Sequence, residues 1–435
     1  MLSKQKVVTL GLQHVLAMYA GAVVVPLIIG AALKLTPLQI AYLIAADLFT
    51  SGIATLLQVV GTRYTGIRLP VVLGCTFTAV GPIIAIASST NLATAYGAII
   101  ISGLFVVFAA PLFGKLLRFF PTVVQGSVVT IIGLSLIPVA MTNAAGGDAT
   151  KPDFGAPEHL LLALGTLVII LLINRFFTGF IRAISVLLGL AVGTIVAYMM
   201  GMVSFANVAT ASWFSVVEPF YFGTPQFSIV AILTMILVNI ISMAESTGVY
   251  FALGKVTNTE VTNKDVVKGL RGEGVAIVLG GIFNAFPYTA FSQNVGLVSL
   301  TGIKSRDVMI GAGGILVVLG LLPKLAALTT VVPNAVLGGA MIAMFGMVVA
   351  SGINILSQVD LRKNENLLIA ACSIAVGLGS ATVPTMFDQL PTLMKMMMQN
   401  GIVTGSLTAV VLNILLVHTN KKAQTTPANA ISEAS

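Results

Sequence analysis

Five places put polar or ionisable side chains inside stretches that otherwise read as lipid-soluble. Glu245 lies in N-I-I-S-M-A-E-S-T-G-V-Y, Glu273 in R-G-E-G-V-A, Asp47 in A-A-D-L-F-T-S-G and His14 in G-L-Q-H-V-L-A. The fifth is Ser292-Gln293-Asn294, which follows Phe286-Pro287 and precedes Gly296 and Thr301. A carboxylate at membrane depth costs ~2.5–3.5 kcal/mol on insertion scales, so Glu245 is kept for ligand binding, for proton exchange or for a structural hydrogen bond. Glu273 fits either a solvated helix cap beside Arg271 or a proton-coupling acid. Asp47 and His14 read first as buried structural hydrogen-bonding groups. The Ser-Gln-Asn cluster brings hydroxyl and carboxamide groups that both donate and accept. No Cys/His group has metal-ligand spacing, so no metal is expected, and no cofactor loop or Ser-His-Asp grouping stands out.

The elements that must hold these residues are membrane spans. The chain is 57% hydrophobic and 8% charged, with mean hydropathy +1.03, against roughly 25% charged in a soluble domain. Its apolar runs repeatedly reach the ~20 residues that cross a bilayer. We count fourteen spans between residues 7 and 418, of which 67–88, 265–285 and 287–302 are short or broken. With the N-terminus in the cytoplasm, 18 of the 22 Lys and Arg residues fall on the inner side. That asymmetry is the positive-inside signal, so the net charge of +8 reports orientation and not a nucleic-acid surface. Both termini are then cytoplasmic, and 419–435 is a polar tail expected to be disordered. Cys75 and Cys372 lie in apolar runs and suggest no disulfide framework.

The chain also repeats itself. Leu69-Pro70 followed by V-V-L-G-C-T-F resembles Phe286-Pro287 followed by Y-T-A-F-S-Q-N, at an offset of 217. Pro121-T-V-V-Q-Gly126 resembles Pro333-N-A-V-L-Gly338 at an offset of 212. Two halves of seven spans each must be inverted, since seven is odd. Paired broken helices in inverted repeats place a substrate site where the repeats meet. The expectation is an all-α polytopic membrane protein in a seven-plus-seven inverted repeat, with short strand-like breaks in spans 3 and 10. A membrane enzyme would need a reactive constellation that is absent, and a passive channel would lack saturable, proton-dependent uptake.

Gln293-Asn294-Val295-Gly296-Leu297-Val298-Ser299-Leu300-Thr301-Gly302 resembles the signature of the nucleobase–ascorbate transporter family, also called nucleobase:cation symporter-2. Gln13-His14 resembles that family's first-span motif, and the whole looks closest to bacterial xanthine permeases. The resemblance implies a purine nucleobase as substrate, xanthine before urate or a broader purine or uracil range, imported with protons across the bacterial cytoplasmic membrane. It implies that Glu245 and Gln293 bind the base, that Asn294 tunes specificity, and that backbone near Phe77 and Ser292 touches the ligand. It implies that Glu273, with Glu245, couples protons, and that His14 braces the site. Asp47, Gly296 and Thr301 are supporting positions. Val249 stands where uracil carriers have histidine. The domains implied are core at 1–118 and 226–329 and gate at 119–225 and 330–418. The gate would also form a homodimer among membrane lipids, with elevator-like movement of the core.

Overall fold

The computed structural model describes residues 3–116 and 120–418. The tail at 419–435 lies outside the described residues. The chain is mostly helical, as its composition demands. Its first elements are α1 (Lys4–Ala32), α2 (Pro37–Val60), β1 (Leu73–Cys75), α3 (Val80–Ser89), α4 (Leu92–Leu116), α5 (Thr122–Ala144), α6 (Pro157–Phe176), α7 (Gly179–Ala183), α8 (Ser185–Met199) and α9 (Ala206–Thr210). There follow α10 (Ile229–Thr257), α11 (Asn263–Ile282), β2 (Tyr288–Ala290), α12 (Ser292–Thr301), α13 (Arg306–Gly320), α14 (Pro323–Thr329), α15 (Asn334–Leu356), α16 (Asn364–Thr382), α17 (Thr392–Gln399) and α18 (Gly401–Asn413). Eight described helices are long and apolar enough to cross a membrane. The protein is a multi-pass membrane protein.

Local sequence explains the helix boundaries. Thr36 and Gln39 form a capping box ahead of α2, with Pro37 at its first position, where a missing N–H does no harm. Thr262 and Asp265 form another at the start of α11. The stretch expected to be one plain span at 306–328 is instead two helices bent by 86°. Pro323 supplies no N–H to continue α13 and opens α14.

Two compact units result. One comprises 3–114 with 136–346, and the other 115–116 and 120–135 with 347–418. In the second, α16 and α18 pack together, and Lys395 Nζ meets Asp388 Oδ1 at 3.0 Å. In the first, α2 lies directly on α13. A side chain at Gly52 would come within 2.6 Å of Gly313 O, so these backbones touch.

The first unit also holds the two strands. β1 and β2 pair antiparallel, with Leu73 opposite Ala290, Gly74 opposite Thr289 and Cys75 opposite Tyr288. Flanking bonds from Thr76 N to Pro287 O (2.9 Å) and from Phe291 N to Val72 O (3.0 Å) lengthen the ladder. A two-stranded ribbon leaves edge groups bare, which is costly without water. Hydroxyls from neighbouring helices cover two of them. Leu73 N donates to Thr55 Oγ1 of α2 at 3.0 Å, and Ala290 N donates to Ser246 Oγ of α10 at 3.1 Å. The Phe291 ring fills the space beside Gly21 and Gly74. A Cβ at Gly74 would stand 2.7 Å from Phe291 Cδ2 and 2.8 Å from Cζ. Gly74→Ala is therefore expected to lose about 1–3 kcal/mol by overpacking, read as a lower melting temperature in detergent. An unchanged melting temperature would show that the ring can step aside.

Candidate functional site

The strand pair is clamped on both faces, and the clamps lie beside the side chains singled out from the sequence. Alternate residues of a strand point to opposite faces. Tyr288 turns to α2, where its hydroxyl donates to Asp47 Oδ1 at 3.0 Å and to Asp47 O at 3.2 Å. Thr289 turns to α10, where its Oγ1 lies 2.8 Å from Ser246 Oγ. Asp47 is fully buried and is a hydrogen-bonding partner of the strand, on the face away from α10.

Ser246 is locked, and its neighbour Glu245 is open. Glu245 is exposed on α10, although protein surrounds it at depth. It accepts no hydrogen bond among the described residues. α12 repeats the pattern. Asn294 is buried, and its Nδ2 donates to His14 O at 3.2 Å and to His14 Nδ1 at 3.0 Å. The carbonyl contact fixes which end of the amide faces His14, so Nδ1 accepts and the imidazole proton sits on Nε2. The neighbours of Asn294, Ser292 and Gln293, are exposed, and Gln293 makes no hydrogen bond among the described residues. α10 packs against β2, α12 and α3. On both helices, one residue anchors the element and the adjacent one offers free polar atoms.

The remaining expected positions fall in three places. Phe77 opens a short 3₁₀ turn before α3 and is half-buried, its ring edge-on to Phe345 with centroids 5.6 Å apart. Gly296 is open, and a Cβ placed there would meet nothing within 4 Å. Thr301 bonds Leu297 O at 2.8 Å in the last turn of α12. Thr301 is thus about 14 Å of helix rise from Ser292 and does not join the cluster. Glu273 stands in the middle of α11, only 1% exposed. The solvated-cap alternative does not describe it, because the Thr262–Asp265 box starts the helix well before it. Its Oε1 accepts from Tyr250 OH at 2.5 Å.

Ser246, Thr289, Tyr288, Tyr250 and Gln58 were not singled out from the sequence. Ser246 and Tyr250 share one face of α10, four residues apart, which helical spacing could have revealed. Their partners lie 43 and 23 residues away, and no local pattern reports that. A cavity of about 560 Å³ lined by Leu12, Val23, Leu190 and Val332 holds none of these polar groups.

α12 begins without a side-chain cap, so its first N–H groups are unclaimed by side chains. The 3₁₀ turn at Phe77 begins at the end of β1, and Thr76 Oγ1 accepts from Thr78 N at 3.2 Å. Carboxylate, carboxamide and helix-end donors together suit a flat ligand with N–H and C=O groups on its rim. Among the described residues no group of His, Cys, Asp or Glu could hold a metal ion.

Known proteins resemble this chain along most of its length. The description "Permease family" matches residues 5–386. The chain is 58% identical over 410 residues to a xanthine permease of Bacillus subtilis, covering 94% of this chain and 93% of that one. It is 59% identical over 404 residues to the uric acid permease PucK of the same organism, covering 93% and 94%. In fold it is similar to the transmembrane domain of the cyanobacterial bicarbonate transporter BicA, with TM-score 0.61, 16% identity, and 94% and 97% of the two chains covered.

Proposed function

We propose, because this chain belongs to the nucleobase–ascorbate transporter family, that it imports a purine base, xanthine, by proton symport. It is a permease and not an enzyme. The observation that carries the reading is the pair of open side chains, Glu245 and Gln293, each beside a residue locked to the scaffold. Xanthine presents N–H donors and C=O acceptors in one plane. A carboxylate accepts from two donors, and a carboxamide reads one donor and one acceptor. The uncapped start of α12 offers donors to a ring carbonyl. Half-helix ends at a break in a span are where transporters hold polar ligands.

Val249 is buried, apolar and four residues beyond Glu245. It adds no hydrogen bond where a uracil-type site would have one. Urate is the second reading, since relatives described as xanthine and uric acid permeases are nearly equally similar to this chain. A neutral base gains nothing from the membrane potential, and a co-transported proton can supply the driving force, with a buried carboxylate as its carrier. Glu273 is the buried acid assigned to that role, with Glu245 beside the base.

The same reading has fourteen spans, cytoplasmic termini, core and gate parts, a homodimer and elevator-like movement. The β1–β2 clamp supports a core that moves as one piece with its ligand. Labelled xanthine uptake, competed by a purine panel and by uracil at two pH values, tests the assignment. Xanthine and urate should compete, uracil should not, and uptake should rise at the lower external pH. Strong uracil uptake untouched by xanthine would sink it.

A further inference from the structure

Gln58 of α2, Tyr250 of α10 and Glu273 of α11 form a chain of hydrogen bonds in which every hydrogen has a determined direction. All three are buried, at 0%, 0% and 1% exposure. Two backbone groups orient the Gln58 amide. Ile67 N–H can only donate, and it meets Oε1 at 3.0 Å. Gly269 C=O can only accept, and it meets Nε2 at 2.7 Å. The second hydrogen on Nε2 is left for the Tyr250 hydroxyl oxygen at 3.0 Å. Tyr250 therefore accepts from Gln58, and its own hydrogen goes to Glu273 Oε1 at 2.5 Å. Donation runs one way, from Ile67 N–H through Gln58 and Tyr250 to the acid, with Gly269 C=O accepting the other Gln58 hydrogen. A donor held in that sense favours a charged carboxylate over a neutral carboxyl, because charge-assisted hydrogen bonds are roughly twice as strong as neutral ones. Ser246 on α10 is a second hydrogen-bonding neighbour of Glu273, and Glu245 beside it is a further ionisable group close enough to interact with the acid.

We infer that Tyr250, oriented by Gln58, is the positioning residue that governs when Glu273 releases and takes its proton, and so couples substrate movement to proton movement. This rests on the reading of Glu273 as the coupling acid. Among the described residues neither Tyr250 nor Gln58 hydrogen-bonds Glu245 or Gln293, and their chain of bonds ends on Glu273.

The test uses the full chain in liposomes with two measurements. One is exchange of labelled xanthine at equal concentrations on both sides, which needs no net proton transfer. The other is accumulation driven by a proton gradient. Tyr250→Phe should exchange within about twofold of the unmodified protein while its accumulation ratio falls ~10-fold or more, the scale of one hydrogen bond to a charged group. Gln58→Met, which keeps length but not the amide, should lose accumulation in the same sense by less. The double variant should be no worse than Tyr250→Phe alone, since Gln58 works through the hydroxyl. Full accumulation in Tyr250→Phe overturns the inference. Loss of exchange together with accumulation also overturns it, by assigning Tyr250 to the binding site or to the fold. Glu273→Gln, measured alongside, separates the two levels. If it still concentrates xanthine, the reading of Glu273 fails. If it is uncoupled and Tyr250→Phe is not, only the role of Tyr250 falls.

Discussion

Glu245→Gln is expected to insert and fold like the unmodified protein and to lose xanthine binding by roughly two orders of magnitude or more. The side chain is open and bonds nothing among the described residues, so no scaffold contact is broken. Its neighbour Ser246 continues to hold Thr289 and Ala290 N. The change replaces two anionic acceptors by one neutral acceptor and one donor. A hydrogen bond to a charged group contributes about 1.5–3 kcal/mol; losing one outright and the charge from the other accounts for ~3 kcal/mol, which is ~100-fold in Kd. The new amide N–H also faces a ring N–H. Calorimetric binding together with a melting curve decides the matter: Kd should rise ~100-fold or more at an unchanged melting temperature. Normal binding would make Glu245 a structural residue and move the site elsewhere.

Glu273→Gln should show the opposite division, with xanthine still bound and exchanged but no longer concentrated against a gradient. Glu273 is buried and is not among the open side chains, and it accepts a hydrogen bond from Tyr250. A glutamine there can still accept from Tyr250 through its oxygen but cannot exchange a proton. A broken helix cap cannot explain a loss, because the cap of α11 is Thr262 with Asp265. Glu273→Asp keeps an ionisable group but is one methylene too short for the Tyr250 bond, so accumulation should fall without disappearing. The measurement is gradient-driven uptake in vesicles beside equilibrium binding on the same preparation. An unchanged accumulation ratio in Glu273→Gln would remove this acid from the mechanism and leave Glu245 as the proton site.

Much of this arrangement is legible in the order of residues alone. Composition demands a membrane protein, and Pro70 and Pro287, each followed by a short stretch unlike a helix, mark the two interrupted segments. The isolated acids at 245, 273 and 47 draw the eye because burying them is expensive. What the sequence hides is pairing across distance. Tyr288 reaches Asp47 over 241 residues, and Gln58 reaches Tyr250 over 192. Each of these residues looks ordinary in its own neighbourhood. The environment of Glu273 is hidden for another reason. Lys264, Asp265, Lys268 and Arg271 lower the apolar signal over the first turns of α11. The acid then reads as the start of a helix, although it lies at the centre. The bend at Pro323 escapes because proline at a first helical position and proline at a kink look alike in one dimension.

The pairing of β1 with β2 has a consequence for how this protein is made. β1 ends at Cys75 and its partner begins at Tyr288, so more than two hundred residues of chain must emerge before the first strand finds the second. At ~5–20 residues per second, synthesis of that interval takes on the order of 10–40 s. During it the backbone groups of residues 73–75 have no ladder to join, and hydrocarbon offers them nothing. The segment that carries β1 is therefore expected to complete its backbone pairing only after β2 has been made. Birth order and assembly order therefore differ for β1, whose ladder closes only when residues 288–290 have supplied its partners.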